Sequence, residues 1–527
     1  MLIGFVNGNI YVSFKPFRKA EAMAVAGGRV VYAGKREVVE VAVKALGGDL
    51  VDLGGRTVLP GFIDAHLHLD ELGMYLNMLD LRGVGSVAEL KERVREYARG
   101  VGTTWVLGHG WDQELFKEGR WPTRHDLDEV VSDRPVMLSR VCMHAAVLNT
   151  KAMEITGLMR LESPGLMRDE RGIPTGVVKE EAFDVARRKF EESLTDEDYV
   201  RLLEDAARFA TSHGVTTVGF VSCDVRSLKA LTRLKDKGRL TTRVRVYLNP
   251  GEEWEVLRIL EKLGMTRGFG DDFLKIMGVK ILADGSLGAR TAWLSEPYSD
   301  DPTTSGYPNI DEESLKKLVK EVHKAGLQLA VHGIGDKTID LILDAYEELD
   351  GVKGRRHRIE HASVLREDQV ERMARLGVVA SVQPHFVITD WWVKNRVGEG
   401  RVRWVYPFKT MTERGIKLGF STDSPVEVLN PWETVYAAVT RGRHEKIPLY
   451  EDTERERLTV REALHAYTWG SAYIMFEEDS LGSLEEGKLA DFIVVDKDPL
   501  TVDEIELRNL KVLETYVGGR KQDFKSH

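Results

Sequence analysis

Cysteine is almost absent: Cys142 and Cys223 are the only two in a chain of 527 residues. One pair cannot staple a protein of this length, so a disulfide scaffold is excluded and a reducing compartment is expected. Both thiols read as small buried side chains. Long hydrophobic runs are missing as well. No stretch reaches the roughly 18 apolar residues of a membrane-spanning helix. The opening Met1-Leu-Ile-Gly-Phe-Val-Asn-Gly-Asn has neither the positive start nor the apolar middle of a secretion signal. Positive charge is not in excess either: 74 Lys and Arg stand against 84 Asp and Glu, a formal net charge of −10. With no local Lys/Arg block, no nucleic-acid partner is expected. Asn and Gln are sparse while Glu, Lys, Arg and Val are plentiful, a composition of thermophile kind. Together these features predict a cytoplasmic protein with no membrane segment.

What remains is core-forming material, 43% hydrophobic and 30% charged, which is globular composition. The length allows three or four domains of about 150 residues, although a barrel can exceed 200 residues in one piece. Short β-type runs occur at both ends, within residues 2–51 and again at 490–496 and 512–520. They predict one small β-sandwich domain built from residues 1–56 and 475–527. Between them, apolar β-branched runs alternate with amphipathic helices. One helix is expected at 195–212, with Thr195 as its cap and three acids in its first turn; another is expected at 311–325. Eight runs read as buried parallel strands: 57–65, 216–220, 243–248, 275–282, 327–331, 356–360, 378–382 and 417–421. The fold class is therefore α/β, a (β/α)₈ TIM barrel over residues 57–474. Residues 72–193 interrupt the spacing after the first strand and carry β-like runs of their own. They predict an insertion at the barrel mouth, where loops set specificity.

Polar residues crowd the strand ends. The first strand ends Asp64-Ala-His66-Leu-His68, the fourth holds Lys280 and Asp284, and the fifth ends in His332 with Asp336 following. The sixth ends Arg358-Ile-Glu-His361, the seventh ends in His385, and the eighth ends Ser421-Thr-Asp423. Residues i and i+2 of a strand project to one side, so His66 and His68 can point together into the mouth and share a metal. His332, His361 and Asp423 reach the same space. Four His and one Asp suit zinc, and also iron, nickel or manganese. Asp64 reads as a carboxylate that orients one of the ligand imidazoles.

The order His-x-His, Lys, His, His, Asp over strands one, four, five, six and eight resembles the binuclear pattern of the amidohydrolase superfamily. Within it the chain is similar to the amidohydrolase-3, YtcJ-like metal-dependent hydrolases, a group that includes N-substituted formamide deformylases. The segments that carry this are Pro60-Gly-Phe-Ile-Asp-Ala-His-Leu-His, Gly110-Trp-Asp, Gly278-Val-Lys-Ile-Leu-Ala-Asp-Gly-Ser-Leu-Gly-Ala-Arg, Ser421-Thr-Asp-Ser-Pro and Gly482-Ser-Leu-Glu-Glu-Gly-Lys-Leu-Ala-Asp-Phe. The resemblance spans nearly the whole chain. It implies two divalent ions, zinc first: His66 and His68 on the more buried one, His332 and His361 on the more exposed one, and Lys280 bridging both as a CO₂-derived carbamate. An ammonium has no lone pair to give and cannot coordinate a cation, which supports such a modification if Lys280 is a ligand. Asp423 would ligate the buried ion, take the proton of a bridging water as it attacks a carbonyl, and pass it to the leaving amine.

The same resemblance implies hydrolysis of a C–N bond in a small molecule and a homodimeric assembly. Weaker candidates for substrate contact are Trp111, Asp112 and His144 in the insertion, and Arg290, Asp336 and His385 on the barrel loops. Two other classes stay open. One is a deaminase of the same superfamily with a single working metal and an acid after strand five, where Asp336 stands. The other is an inactive barrel that binds a ligand without turnover, which the complete ligand set disfavours.

Overall fold

The computed structural model describes residues 2–141, 144–163 and 165–523, so Cys142 lies outside the described residues. Cys223 is buried, and its thiol donates to the Asp224 carbonyl at 3.4 Å. The chain forms two compact units, one from Met1–Leu69 with Ala207–His527 and one from Asp70–Ala206.

The first unit holds a nearly closed barrel of eight parallel strands. They are β1 Phe62–Leu67, β2 Val215–Cys223, β3 Arg243–Leu248, β4 Leu274–Leu282, β5 Gln328–Gly333, β6 Arg358–His361, β7 Val379–Val382 and β8 Leu418–Phe420. Each pairs in parallel with its neighbours in chain order. Their residues are buried on both faces almost throughout, which is why they read as continuous apolar runs rather than alternating ones. β1 and β2 approach closely at Gly219, where a Cβ would stand 2.2 Å from the carbonyl oxygen of Ala65.

The expected strand at 57–65 is two strands in two different sheets. Thr57–Pro60 lies between Asn9–Phe14 and Phe492–Val495 in a six-stranded sheet, and only Phe62–Leu67 enters the barrel. The break falls at Gly61, where a Cβ would meet the Thr216 side chain at 2.3 Å. A four-stranded sheet in the order Arg29–Gly34, Ala22–Ala26, Leu2–Val6, Asp49–Asp52 shares a core with that six-stranded sheet, through Phe5, Met23 and Val30 from one and Ile10, Val58 and Phe492 from the other. The two ends of the chain thus build joined sheets. These sheets fall in the same compact unit as the barrel and do not form a unit of their own.

The second unit has a six-stranded mixed sheet in the order Leu166–Arg168, Pro174–Lys179, Ala145–Leu148, Val136–Arg140, Val106–Trp111, Met78–Asp80. Helix Val87–Gly100 packs Leu90 and Val94 into its core with Leu138 and Val147. Both helices expected from the sequence are present. At Asp196–Ser212 the Thr195 hydroxyl accepts from the Asp198 N–H, and the Asp198 carboxylate accepts from the Thr195 N–H. At Glu312–Lys324 the cap is Asp311, which accepts from the Ser314 N–H at 2.9 Å. Among the described residues, no helix is long and apolar enough to cross a membrane.

Two backbone hydrogen bonds close the barrel where β8 meets β1. The Asp423 N–H donates to the His66 carbonyl at 2.9 Å, and the His68 N–H donates to the Ser424 carbonyl at 2.9 Å. Asp64 reinforces this seam. Its fully buried carboxylate accepts from the Thr422 N–H at 3.2 Å, the Thr422 hydroxyl at 2.7 Å and the Tyr467 hydroxyl at 3.2 Å. Its expected role as the orienter of a ligand ring is not what the structure shows: toward His66 it accepts only the backbone N–H, at 3.3 Å. Burial pushes its pKa up to about 7 against the pull of those donors. Replacing Asp64 with Ala leaves four buried donors unpaired, and we expect a loss of about 3 kcal/mol in unfolding free energy, read by chemical denaturation. Asp64→Asn, which keeps one acceptor oxygen, should lose less.

Candidate metal centre

The C-terminal ends of the strands bring the expected ligands together. His66 Nε2 lies 3.3 Å and His68 Nε2 3.2 Å from the same oxygen of Asp423, Oδ1. His361 joins this group: ligand atoms of His66, His361 and Asp423 all lie within 4.8 Å of one another. The His332 ring sits beside that of His361, with centroids 4.4 Å apart. His66, His361 and Asp423 are buried, and His68 and His332 are partly exposed. The chain twists to do this. His361 has φ 72° and Asp423 has φ 60°, left-handed values that a side chain normally avoids. Neighbours on a strand point to opposite faces, yet His361 and the preceding Glu360 both meet His66, because the left-handed turn swings His361 inward.

Three of the four imidazoles have their second nitrogen engaged. The Nδ1 of His66 meets Glu360 Oε2 at 2.5 Å, the Nδ1 of His361 meets Gln383 Oε1 at 2.8 Å, and the Nε2 of His332 meets the Gly285 carbonyl at 2.9 Å. Each of those oxygens accepts, so the ring proton sits there. The lone pair is then on His66 Nε2, His361 Nε2 and His332 Nδ1, the atoms left for a metal. The supports are themselves anchored. Gln383 donates to the Ser421 hydroxyl at 2.9 Å, which fixes its amide orientation. Glu360 takes both Nε–H and Nη2–H of Arg358, at 2.7 and 2.6 Å, and Arg358 also donates to the Ala65 carbonyl on β1. Burial would raise the Glu360 carboxyl, but the Arg358 guanidinium outweighs it and holds the group far below the ordinary carboxylate range.

Lys280 completes the floor. Its Nζ is 3.2 Å from His66 Nε2, and burial lowers its pKa to about 8. Burial also pushes His66 and His361 down, which keeps both imidazoles neutral and able to coordinate. The Asp423 pKa is lowered as well: burial would raise it, but the imidazoles around it outweigh this and the carboxyl stays ionised. Two or more neutral imidazoles converging on a carboxylate oxygen make a donor set that fits a divalent metal.

The weaker candidates fare differently. Trp111 is fully buried in the core of the second unit, and its indole N–H donates to the Leu138 carbonyl at 2.8 Å, which is a packing role. Asp112 caps the turn Gln113–Leu115 and pairs with Arg140 at 2.7 Å. His144 is exposed, with Glu180 at 3.5 Å. Arg290 is committed to Asp300 at 3.0 Å and is not free for a substrate carboxylate. Asp336 is buried and bound to Arg366 at 2.9 Å and to the Ser295 N–H. His385 pairs with Glu427, whose other oxygen accepts from the Thr389 hydroxyl at 2.6 Å.

Sequence reasoning passed over Glu360, Arg358 and Gln383. A signal was present: two charges two residues apart on an otherwise apolar strand share a face, and that face is the barrel interior. Glu360→Gln keeps the shape of the acceptor but removes its charge. We expect metal affinity to fall about 10- to 100-fold, the usual cost of losing a support behind a ligand His. Competition with a chelator measures it, with a melting curve to show that the fold persists.

This geometry can be set beside known proteins. A family model described as "Amidohydrolase family" matches residues 49–521. A crystal structure of a metal-dependent hydrolase from Pyrococcus horikoshii OT3 superposes with a TM-score of 0.85 at 45% identity, covering 96% of this chain and 99% of that one. YtcJ of Bacillus subtilis, which carries an amidohydrolase name, is 33% identical over 531 residues, 97% of this chain and 98% of its own. The N-substituted formamide deformylase of Arthrobacter pascens is 28% identical over 542 residues, 98% of this chain and 97% of its own. With the family pattern matched over nearly all of its length and residues that could hold a metal gathered at the strand ends, the chain belongs to the amidohydrolase family.

Proposed function

We propose that this protein hydrolyses a C–N bond of a small molecule, in an amide or cyclic amide, at a centre of two divalent metal ions, zinc first. The observation that carries the reading is the meeting of His66 Nε2 and His68 Nε2 on Asp423 Oδ1 at 3.3 and 3.2 Å. His66 and His68 would hold one ion with Asp423, His332 and His361 the other, and carboxylated Lys280 both. Metal bound there supplies Lewis acidity, polarising a carbonyl and lowering the pKa of a water. Asp423 serves as the general base, taking the proton of the attacking water and returning it to the leaving nitrogen. Its ionised state and its position on the seam, with its backbone N–H tied to His66, suit it to carry a proton without moving. The name of the Arthrobacter pascens relative makes N-substituted formamides the first substrates to try.

A second reading has its own support. The compact trio His66, His361 and Asp423 would serve a single ion, as a deaminase of one metal requires. Against it, Asp336, the acid after β5, is tied to Arg366 and is not placed as a base. Metal analysis separates the two. In protein expressed with zinc and bicarbonate we expect about two ions per chain, falling in Lys280→Ala; about one ion, unchanged by that substitution, would support the single-metal reading. Asp423→Asn should cut turnover about 10²- to 10⁴-fold, the usual worth of a placed acid–base group. The measurement is amine released from a panel of N-substituted formamides, cyclic amides and N-acyl amines, with metal content followed alongside.

A further inference from the structure

A cavity of about 300 Å³ lies beside the start of β8, where Lys417 and Leu418 line it together with the turn after Phe14 and the helical residues 461–470. Asp423 and the other metal ligands follow the strands at their C-terminal ends, so this cavity lies at the opposite end of the barrel.

Its wall carries three cations, Lys15, Lys417 and Arg461. Among the described residues none of them forms an ion pair. The single carboxylate on the wall, Glu462, is already taken by Lys409 at 2.6 Å and by the Thr459 N–H and hydroxyl, each at 2.9 Å. Three cationic residues, all exposed, therefore line one space without a carboxylate partner. The rest of the wall is apolar, with Ile416, Leu418 and Leu458 beside the rings of Phe14, Phe17 and Trp469. Trp469 is stacked between His465 and Tyr473, with centroids 5.1 and 5.0 Å away, so it turns its edge to the cavity, and Arg461 lies over Phe17, itself half exposed. His465 adds a separate observation: its Nδ1 is buried with no hydrogen-bond partner. Burial, helped by Lys15 and Lys417, lowers its pKa to about 4, so the ring is neutral and adds no charge of its own. The helix beneath widens to a π-turn over Ala466–Gly470, an irregularity common at binding sites.

We propose that this cavity binds a small aromatic anion, a phosphate, phosphonate or carboxylate carried on a flat ring. The anionic group would be met by Lys15, Lys417 and Arg461, and the ring by Phe17 and the edge of Trp469. Neither the metal centre nor the proposed hydrolysis calls for this site.

Phenylphosphonate, which no hydrolase can cleave at its C–P bond by acyl chemistry, is the probe. The full-length metal-loaded protein is titrated with it by calorimetry. We expect one saturating event that weakens about tenfold or more in both Lys417→Ala and Arg461→Ala, since each removes a charge-assisted contact. Both side chains are exposed, so the substitutions should not disturb the fold. Binding that is unchanged in both variants would place the anion at the metal centre and overturn the proposal. Absence of any saturating event at millimolar probe would overturn it too. Inorganic phosphate binding as tightly as phenylphosphonate would overturn the aromatic part of the assignment.

Discussion

Closure of the barrel is the constraint on which the site depends. A ring of eight strands must bring its last strand to its first, and here the closing bonds run from Asp423 to the His66 carbonyl and from His68 to the Ser424 carbonyl. Three of the expected ligands are therefore positioned by the same two hydrogen bonds that close the sheet. His66 sits within β1, His68 one residue past its end and Asp423 three residues past β8, and groups held this close to strand ends keep their geometry better than groups far out on loops. The seam has its own costs. Asp423 and His361 adopt left-handed backbone, at about 1–3 kcal/mol each. Asp64 is buried as a carboxyl of raised pKa. These costs are tolerable because the surrounding barrel over-determines the local conformation.

Charge inside the barrel obeys the same logic. Arg358, Glu360 and Lys280 are all buried, in a place where apolar residues of similar size would be as stable or more so. Arg358 and Glu360 offset their desolvation through two hydrogen bonds of 2.6 and 2.7 Å, and the guanidinium also lies over the Tyr247 ring, 4.5 Å from its centroid. The pair gives the centre a fixed anionic acceptor behind His66. A neutral acceptor could choose the tautomer, as Gln383 does for His361, but would not raise the basicity of the ring as far. His66 thus has the charged support and His361 the neutral one.

How much of this the sequence disclosed follows from the physics of each signal. The eight barrel strands were legible because parallel strands covered on both faces read as apolar runs, and strands two to eight lie within two or three residues of their expected places. The first reads in sequence as one strand and is two. Its division at Gly61 depends on the approach of Thr216, some 150 residues away, and no local pattern reports that contact. The His-x-His pair was legible because alternation along a strand is regular. The joint inward turn of Glu360 and His361 was not, because it breaks that alternation by a positive φ at a residue other than glycine. Arg290 and Asp336 looked available in sequence and are committed in three dimensions, to Asp300 and Arg366. A polar residue at a strand end marks the region of the site, but its partner decides whether it is free to act.

Lys280 shows where the proposed chemistry presses hardest on the structure. With His66 Nδ1 donating to Glu360, the lone pair of that ring is on Nε2, and Lys280 Nζ stands 3.2 Å from it. As an amine or ammonium, Lys280 can only donate to this lone pair, in competition with a cation for the same electrons. Burial favours the neutral amine, which is the form that reacts with CO₂. Carboxylation would turn the donor into an anion with two acceptor oxygens beside four imidazoles and Asp423. The conflict at His66 Nε2 would then be gone, and the group that blocked the site would become part of it. A lysine kept as a simple cation would have to swing away before His66 could serve as a ligand, and its burial within the barrel leaves little room for that movement.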